Sequence, residues 1–187
     1  MAFLLPSEFR APVNQEVYSD FDESEYEEIV AKLTVVQQAI FDKPVKHWHL
    51  KALYMKGLVD GKPMNKMLVD GGASVNLMPY TTFCKLGKGP EDLMETDMML
   101  KDFGGNTSKT RGAKNVKLTI ESKTLLTTFF VIDGKGSYSL LLGRDWINVN
   151  CCIPLTMHQC LIQWHGDDVK LVHADESVSI TTADPVF

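Results

Sequence analysis

The hydrophobic residues of this chain follow a strand-like pattern from Trp48 onwards, where short apolar runs alternate with turn residues. The apolar runs 50–57 and 64–69 flank an Asp-Gly turn, which predicts a hairpin whose second strand ends on Asp70. Further strands are predicted at 98–103, 107–112, 116–121, 125–133, 140–142, 153–154 and 161–164. The spacing therefore predicts an all-β domain.

Helical signals are few, and the strongest one precedes the strands. Ser24 and Glu27 form a capping box ahead of apolar residues at helical spacing, which predicts a separate N-terminal helix over residues 25–41. On an acidic leader, such a helix is either a partner-binding element or part of a solvated spacer. Proline at the start and glycine at the end of 79–87 predict a short helix, and a second one follows the strand at 140–142.

Composition sets the limits of the domain organisation. A chain of 187 residues with 44% hydrophobic content has room for one compact domain, so we predict an acidic leader at 1–46, the β domain at 47–166 and a polar tail at 167–187. The net charge of −5 argues against nucleic-acid binding, and no apolar run is long enough to cross a membrane. Four cysteines without C-x-x-C spacing favour buried, reduced thiols and a soluble, intracellular protein.

The turn after the second strand carries the candidate chemistry. The apolar run that ends at Val69 delivers a single carboxylate, Asp70, into Gly71, Gly72 and Ala73, which have little or no side-chain bulk. Another backbone or a peptide substrate can therefore approach this carboxylate closely. Such a geometry is the one that an aspartic peptidase requires.

Other polar residues near these strands have simpler structural explanations. The Asp-Gly pairs at 60–61 and 133–134 lie between predicted strands, which favours turns. Asp145 lies at a predicted helix start and is expected to be its N-cap, and Arg144 is expected to be a buried partner of a carboxylate or of backbone carbonyls. The histidines that flank Trp48 have no further ligand in the sequence, so no metal is expected. The glycine-rich segments lack the Lys-Ser/Thr of a phosphate loop, which argues against nucleotide binding.

Three motifs occur in order along the segment 48–164: Leu68–Ala73 with Asn76–Pro79, then Phe129–Ile132, then Leu141–Ile147. Together they resemble the retropepsin-like aspartic peptidases, and closely those in the polyproteins of plant gypsy-type LTR retrotransposons. The resemblance implies a closed, all-β barrel that acts as a homodimer, in the cytoplasm or in a retroelement particle. It implies a polypeptide substrate and no cofactor.

The resemblance also implies a role for each residue near the turn. Asp70 and its symmetry mate would be catalytic, because two carboxylates about 3 Å apart share one proton and present an acid and a base together. The positions expected to bind substrate are Gly72, Ala73, Phe103, Gly104 and Gly105, the last three in a hairpin that corresponds to the family's flap. The positions expected to support the site are Gly71, Gly143, Arg144 and Asp145.

Gly71 departs from the family pattern, which has Thr or Ser at this position with a hydroxyl that hydrogen-bonds across the dimer. Losing such a buried hydrogen bond removes about 1 kcal/mol per bond. Two functions therefore stay open. One is an aspartic endopeptidase that processes a retroelement polyprotein. The other is a non-catalytic or degenerate retropepsin-like module that dimerises or holds an extended peptide by strand addition.

Overall fold

The computed structural model describes residues 51–101, 104–134 and 137–178. The predicted leader helix at 25–41 and the predicted substrate-binding residue Phe103 lie outside the described residues, and the domain boundaries remain predictions. Within the described ranges, no helix has the length and apolar character needed to span a membrane.

The described residues fold mainly into strands joined by short turns. The strands are β1 (Tyr54–Val59), β2 (Lys62–Val69), β3 (Leu77–Pro79), β4 (Met99–Lys101), β5 (Thr107–Lys109), β6 (Gly112–Ile120), β7 (Lys123–Ile132), β8 (Leu140–Leu142), β9 (Cys152–Leu155), β10 (Cys160–His165) and β11 (Asp168–His173). The helices are α1 (Tyr80–Lys85) and α2 (Arg144–Val149), with a 3₁₀ turn at Pro90–Asp92. The predicted all-β architecture with two short helices is confirmed.

A closed barrel forms the centre of the fold, with the strand order β1-β2-β8-β3-β7-β6 and β6 paired back to β1. The β2–β8 and β3–β7 pairs are parallel, and the other neighbours are antiparallel. Because parallel strands end at the same edge of a sheet, the segments that follow β2 and β8 meet at one end of the barrel. The predicted closed barrel is therefore confirmed, and its topology brings two distant segments together.

Apolar side chains at alternate positions fill the barrel interior. In β6, Val116, Leu118 and Ile120 are buried, whereas the residues between them are more exposed. Phe83 of α1 and Phe129 of β7 are fully buried. Burying a side chain of this size contributes about 1.5–3 kcal/mol, so the core holds firmly the strands that carry the turns.

A three-stranded antiparallel sheet, β9-β10-β11, follows α2. Residues 168–173, which were expected to belong to a polar tail, form β11 instead. The segment pairs with β10 along its whole length, and Val172 is buried while Asp168 and Lys170 stay exposed. Its polar composition concealed the strand because a single buried side chain gives no alternating pattern.

The four cysteines are free thiols, and only two of them are buried as predicted. Cys152 and Cys160 are buried, and burial raises the pKa of both thiols and keeps them protonated. Cys84 and Cys151 are exposed, so the prediction of buried filler was wrong for these two.

Candidate active site

Asp70 lies directly after β2, at the end of the barrel where β8 also ends. The parallel pairing sets Val69 opposite Leu142, and the backbone N–H of Asp70 donates to the carbonyl of Leu142 at 2.9 Å. The side chain turns back on the loop, where Oδ1 accepts a hydrogen bond from the N–H of Gly72 at 2.8 Å. The N–H of Ala73 donates to the carbonyl of Asp70 at 3.3 Å. The carboxylate is thus held by a short turn and stays partly exposed.

Gly143 packs tightly against the loop that carries Asp70. A Cβ atom at this position would overlap the carbonyl oxygen of Val75 and would lie 2.9 Å from that of Ala73. The next residue continues the contact, because the N–H of Arg144 donates to the carbonyl of Ala73 at 2.9 Å. The start of α2 therefore lies against the turn that carries Asp70, and only glycine allows this approach.

Asn76 connects the turn that carries Asp70 to the strands around it, a role that the sequence did not assign. Its side chain is fully buried, and Oδ1 accepts the N–H of Gly143 at 2.9 Å. The amide nitrogen donates to the carbonyl of Thr128 at 3.1 Å and to Oδ2 of Asp145 at 2.8 Å. A polar residue within the apolar run 75–78 was the available signal, since a polar side chain that is buried with such a run needs partners.

Two expectations about Asp145 and Arg144 were wrong, namely that Asp145 is the N-cap of α2 and that Arg144 is buried. Their support of the site remains a prediction. The N-cap of α2 is Gly143 without a side-chain hydrogen bond, and Asp145 instead accepts from Asn76. Arg144 is exposed rather than buried, and its Nη2 donates to the hydroxyl oxygen of Ser74 at 2.8 Å. Both side chains bind residues far away in sequence, which local helix rules could not indicate.

Tyr138 is a second residue near Asp70 that the sequence did not single out. It lies in the loop before β8 and is half-buried. Burial raises the pKa of its phenol, and the negative charge of Asp70 raises it further. The phenol therefore stays neutral and lies within electrostatic range of the candidate catalytic carboxylate.

Gly71 is exposed beside Asp70, and the space around it is open. Among the described residues, no atom outside its immediate chain neighbours lies within 4 Å of the position that a Cβ would occupy. The glycine is therefore not required by packing within one copy of the chain, in contrast to Gly143.

The remaining predicted substrate-binding residues lie in the hairpin of β4 and β5. This hairpin is a separate two-stranded sheet, and Gly104 and Gly105 lie exposed at its tip, where Gly105 has a φ of 84°. The structure thus brings Asp70, Gly72, Ala73 and Gly143 together at the barrel end and places the hairpin glycines in another element. The two-stranded geometry agrees with the predicted hairpin, and its role as a flap remains a prediction.

Comparison with known proteins addresses the fold. No family model matches the sequence, and no curated protein matches it. The structure is similar to the retroviral protease-like domain of Ddi1 from Leishmania major, with a TM-score of 0.51 and 17% identity over 68% of this chain and 93% of that chain. The chain has a retropepsin-like fold.

Two further solved structures are similar to this chain, which has a retropepsin-like fold. The EIAV protease complexed with the inhibitor HBY-793 has a TM-score of 0.47 and 20% identity, over 59% of this chain and 99% of that chain. A retropepsin-like aspartic protease from Rickettsia conorii has a TM-score of 0.44 and 18% identity, over 65% and 82%. The plant retrotransposon origin suggested by the motifs remains a prediction.

Proposed function

We propose that this protein is an aspartic endopeptidase whose catalytic dyad consists of Asp70 from two copies of the chain. The observation that carries the proposal is the position of Asp70, partly exposed at the end of β2 and held by the N–H of Gly72. The retropepsin-like fold supports it, because the motif resemblance assigns the catalytic aspartate of that fold to Asp70.

The chemistry requires a second carboxylate. Hydrolysis of a peptide bond needs one group that takes a proton from water and another that gives a proton to the substrate carbonyl. Two carboxylates about 3 Å apart cannot both ionise easily, so they share a proton and supply both groups. Each copy contributes one aspartate from the turn after β2, Asp70, so a two-fold dimer would complete the site.

The substrate class follows from the space around the carboxylate. Gly72 and Ala73 leave the turn without bulky side chains, so the backbone of an extended polypeptide can lie beside Asp70. The hairpin with Gly104 and Gly105 at its tip would close over such a peptide and exclude water. We propose a retroelement polyprotein as the natural substrate, on the basis of the motif resemblance.

The first experiment measures cleavage of a denatured protein at acidic pH, with and without a statine-type inhibitor. We expect inhibitor-sensitive cleavage by the wild-type protein and none by Asp70→Asn. A matched control is Asp133→Asn, because Asp133 also precedes a glycine but forms an exposed ion pair with Arg111 at 2.6 Å. Equal cleavage by Asp70→Asn and wild type would refute the catalytic role of Asp70.

A second experiment tests whether two chains share one site. Asp70→Asn protein is mixed in increasing amounts with a fixed amount of wild-type protein, under conditions where subunits exchange. Mixed dimers contain one carboxylate, so activity should fall steeply as inactive subunits accumulate. Activity that stays constant, while wild-type and variant subunits with different affinity tags co-purify as mixed dimers, would refute a dyad built from two copies.

A non-catalytic module is the second candidate, and Gly71 favours it. This position has no hydroxyl to brace two catalytic loops against each other, although the open space there would accept one. A module of this kind would self-associate or hold an extended peptide without cleaving it. For a non-catalytic module, we expect Asp70→Asn to leave the dissociation constant for a peptide unchanged.

A further inference from the structure

The segment after β11 returns to the barrel and buries a charged residue. The N–H of Ala174 donates to the carbonyl of Gln159 at 2.8 Å, and the N–H of Asp175 donates to that of Tyr54, the first residue of β1, at 2.7 Å. The Asp175 side chain is only 1% exposed. A charged side chain is seldom buried so completely unless polar groups hold it.

Several groups keep the Asp175 carboxylate ionised. Burial acts to raise its pKa, but hydrogen bonds from Ser177, the charge of Lys56 and the peptide N–H of Lys66 outweigh burial and lower the pKa. Oδ1 accepts the N–H of Ser177 at 3.1 Å and its hydroxyl at 2.6 Å. Oδ2 is buried and has no hydrogen-bond partner among the described residues.

Lys66 is the irregular residue of β2. The β1–β2 pairing shifts register between Met55 and Gly57. Opposite this shift, Lys66 has a backbone φ of 54°, a value that residues other than glycine rarely adopt. The extra residue of such a bulge has no place in the ladder and depends on contacts from outside the strand pair. Asp175 lines the same cavity as Asn65, the residue directly before Lys66 in the bulge. The carbonyl of Lys66 accepts the N–H of Ser139 at 2.9 Å.

The bulge is close to the candidate active site along the same strands. Ser139 immediately precedes β8, whose pairing with β2 begins at Met67 opposite Leu140. The pair ends where the N–H of Asp70 donates to the carbonyl of Leu142. The bulge is therefore joined by a hydrogen bond to the start of β8, the strand that pairs with β2 as far as the turn that carries Asp70.

We propose that Asp175 is a positioning residue for Asp70, because it holds the bulge at Lys66 and so fixes where β2 ends against β8. This proposal rests on the proposed peptidase function for its effect on catalysis, but the structural link can be measured without activity. The proposal gives a role to the segment after β11, which the polar composition of the sequence predicted to be a tail.

The experiment compares Asp175→Asn and Asp175→Ala with wild type by amide hydrogen exchange. The amides of Ser139 and Asp70 report on the β2–β8 link, and that of Val116 in β6 reports on the rest of the barrel. We expect exchange at Ser139 and Asp70 to accelerate about tenfold or more, with Val116 changing much less, because the opening is local. Asp168→Asn, an exposed aspartate at the start of β11, is the matched control and should change none of the three amides.

Two outcomes would overturn the proposal: unchanged exchange at Ser139 and Asp70, or equal acceleration at all three amides, which indicates a general structural role. If Asp175→Ala does not fold, Asp175→Asn decides, because it keeps the size of the side chain and removes its charge. Peptide cleavage is measured in parallel, and we expect kcat to fall about tenfold with KM nearly unchanged. If wild type cleaves nothing, the proposed function fails while the exchange data still decide the role of Asp175.

Discussion

Replacing Asn76 with alanine gives the sharpest test of how the catalytic turn is held. The substitution removes the acceptor of the Gly143 N–H and the donor to Thr128 and Asp145. Two neutral hydrogen bonds contribute about 1 kcal/mol each, the bond to the exposed Asp145 carboxylate about 1.5, and the Gly143 N–H is left buried without an acceptor. We therefore expect the free energy of unfolding to fall by about 3–5 kcal/mol, a large part of a typical 5–15 kcal/mol.

Urea denaturation followed by tryptophan fluorescence measures this change, since Trp146 is buried beside the site in α2. Asn115→Ala is the control, because Asn115 is exposed on β6 and accepts only the hydroxyl of Thr128 at 2.8 Å. We expect it to cost less than about 1 kcal/mol. A loss below 1 kcal/mol for Asn76→Ala would refute the conclusion that Asn76 anchors the turn.

Asn76→Asp extends the test, because it keeps the shape of the side chain and changes its charge. The introduced carboxylate would face Asp145 at about the 2.8 Å that now separates the Asn76 amide nitrogen from Oδ2 of Asp145. The repulsion between the two negative charges would raise the pKa of the introduced carboxylate above its value in the unfolded chain. A raised pKa means that the variant loses stability as pH rises and recovers it below the unfolded pKa, about 3.9. A stability deficit independent of pH would contradict this geometry.

Three further predictions concern other residues of the described structure. Gly71→Thr meets no steric obstacle within the described residues. If the two introduced hydroxyls of a dimer add about 2 kcal/mol, the dissociation constant measured by sedimentation should fall about thirtyfold. An unchanged dissociation constant would contradict the role assigned to this position. Asp70→Asn should lower the pKa of Tyr138 only part of the way to 10, because the effect of burial remains. An unchanged Tyr138 pKa in a phenol titration would contradict the electrostatic interaction between the two residues. The N–H of Gly89, followed by Lys114, lowers the pKa of Asp92, so its stabilising effect is complete above about pH 4 and is lost as pH falls through the folded pKa. The difference in urea midpoint between wild type and Asp92→Asn should accordingly shrink at low pH, and a constant difference would contradict it.

The local pattern of the sequence determined the strands, the hairpins and the position of Asp70. Alternating apolar residues and Asp-Gly turns act over a few neighbours, so β1, β2 and the turn between them follow from residues 54–69 alone. Gly143 could also be recognised from its motif. Its backbone contact leaves no space for a Cβ, so only glycine can occupy this position. The sequence thus indicated which turn carries the candidate carboxylate.

Only the tertiary structure decided which side chains support that turn. Asn76, Asp145 and Ser74 find their partners between the segments that follow β2 and β8, which are distant in sequence. The parallel β2–β8 contact that joins these segments depends on how the barrel closes rather than on local spacing. Asp175 looked like part of a polar tail because burial of a charge depends on groups that arrive from distant strands. Local rules describe a residue's neighbours along the chain, whereas these polar contacts exist only after the core has brought separate segments together.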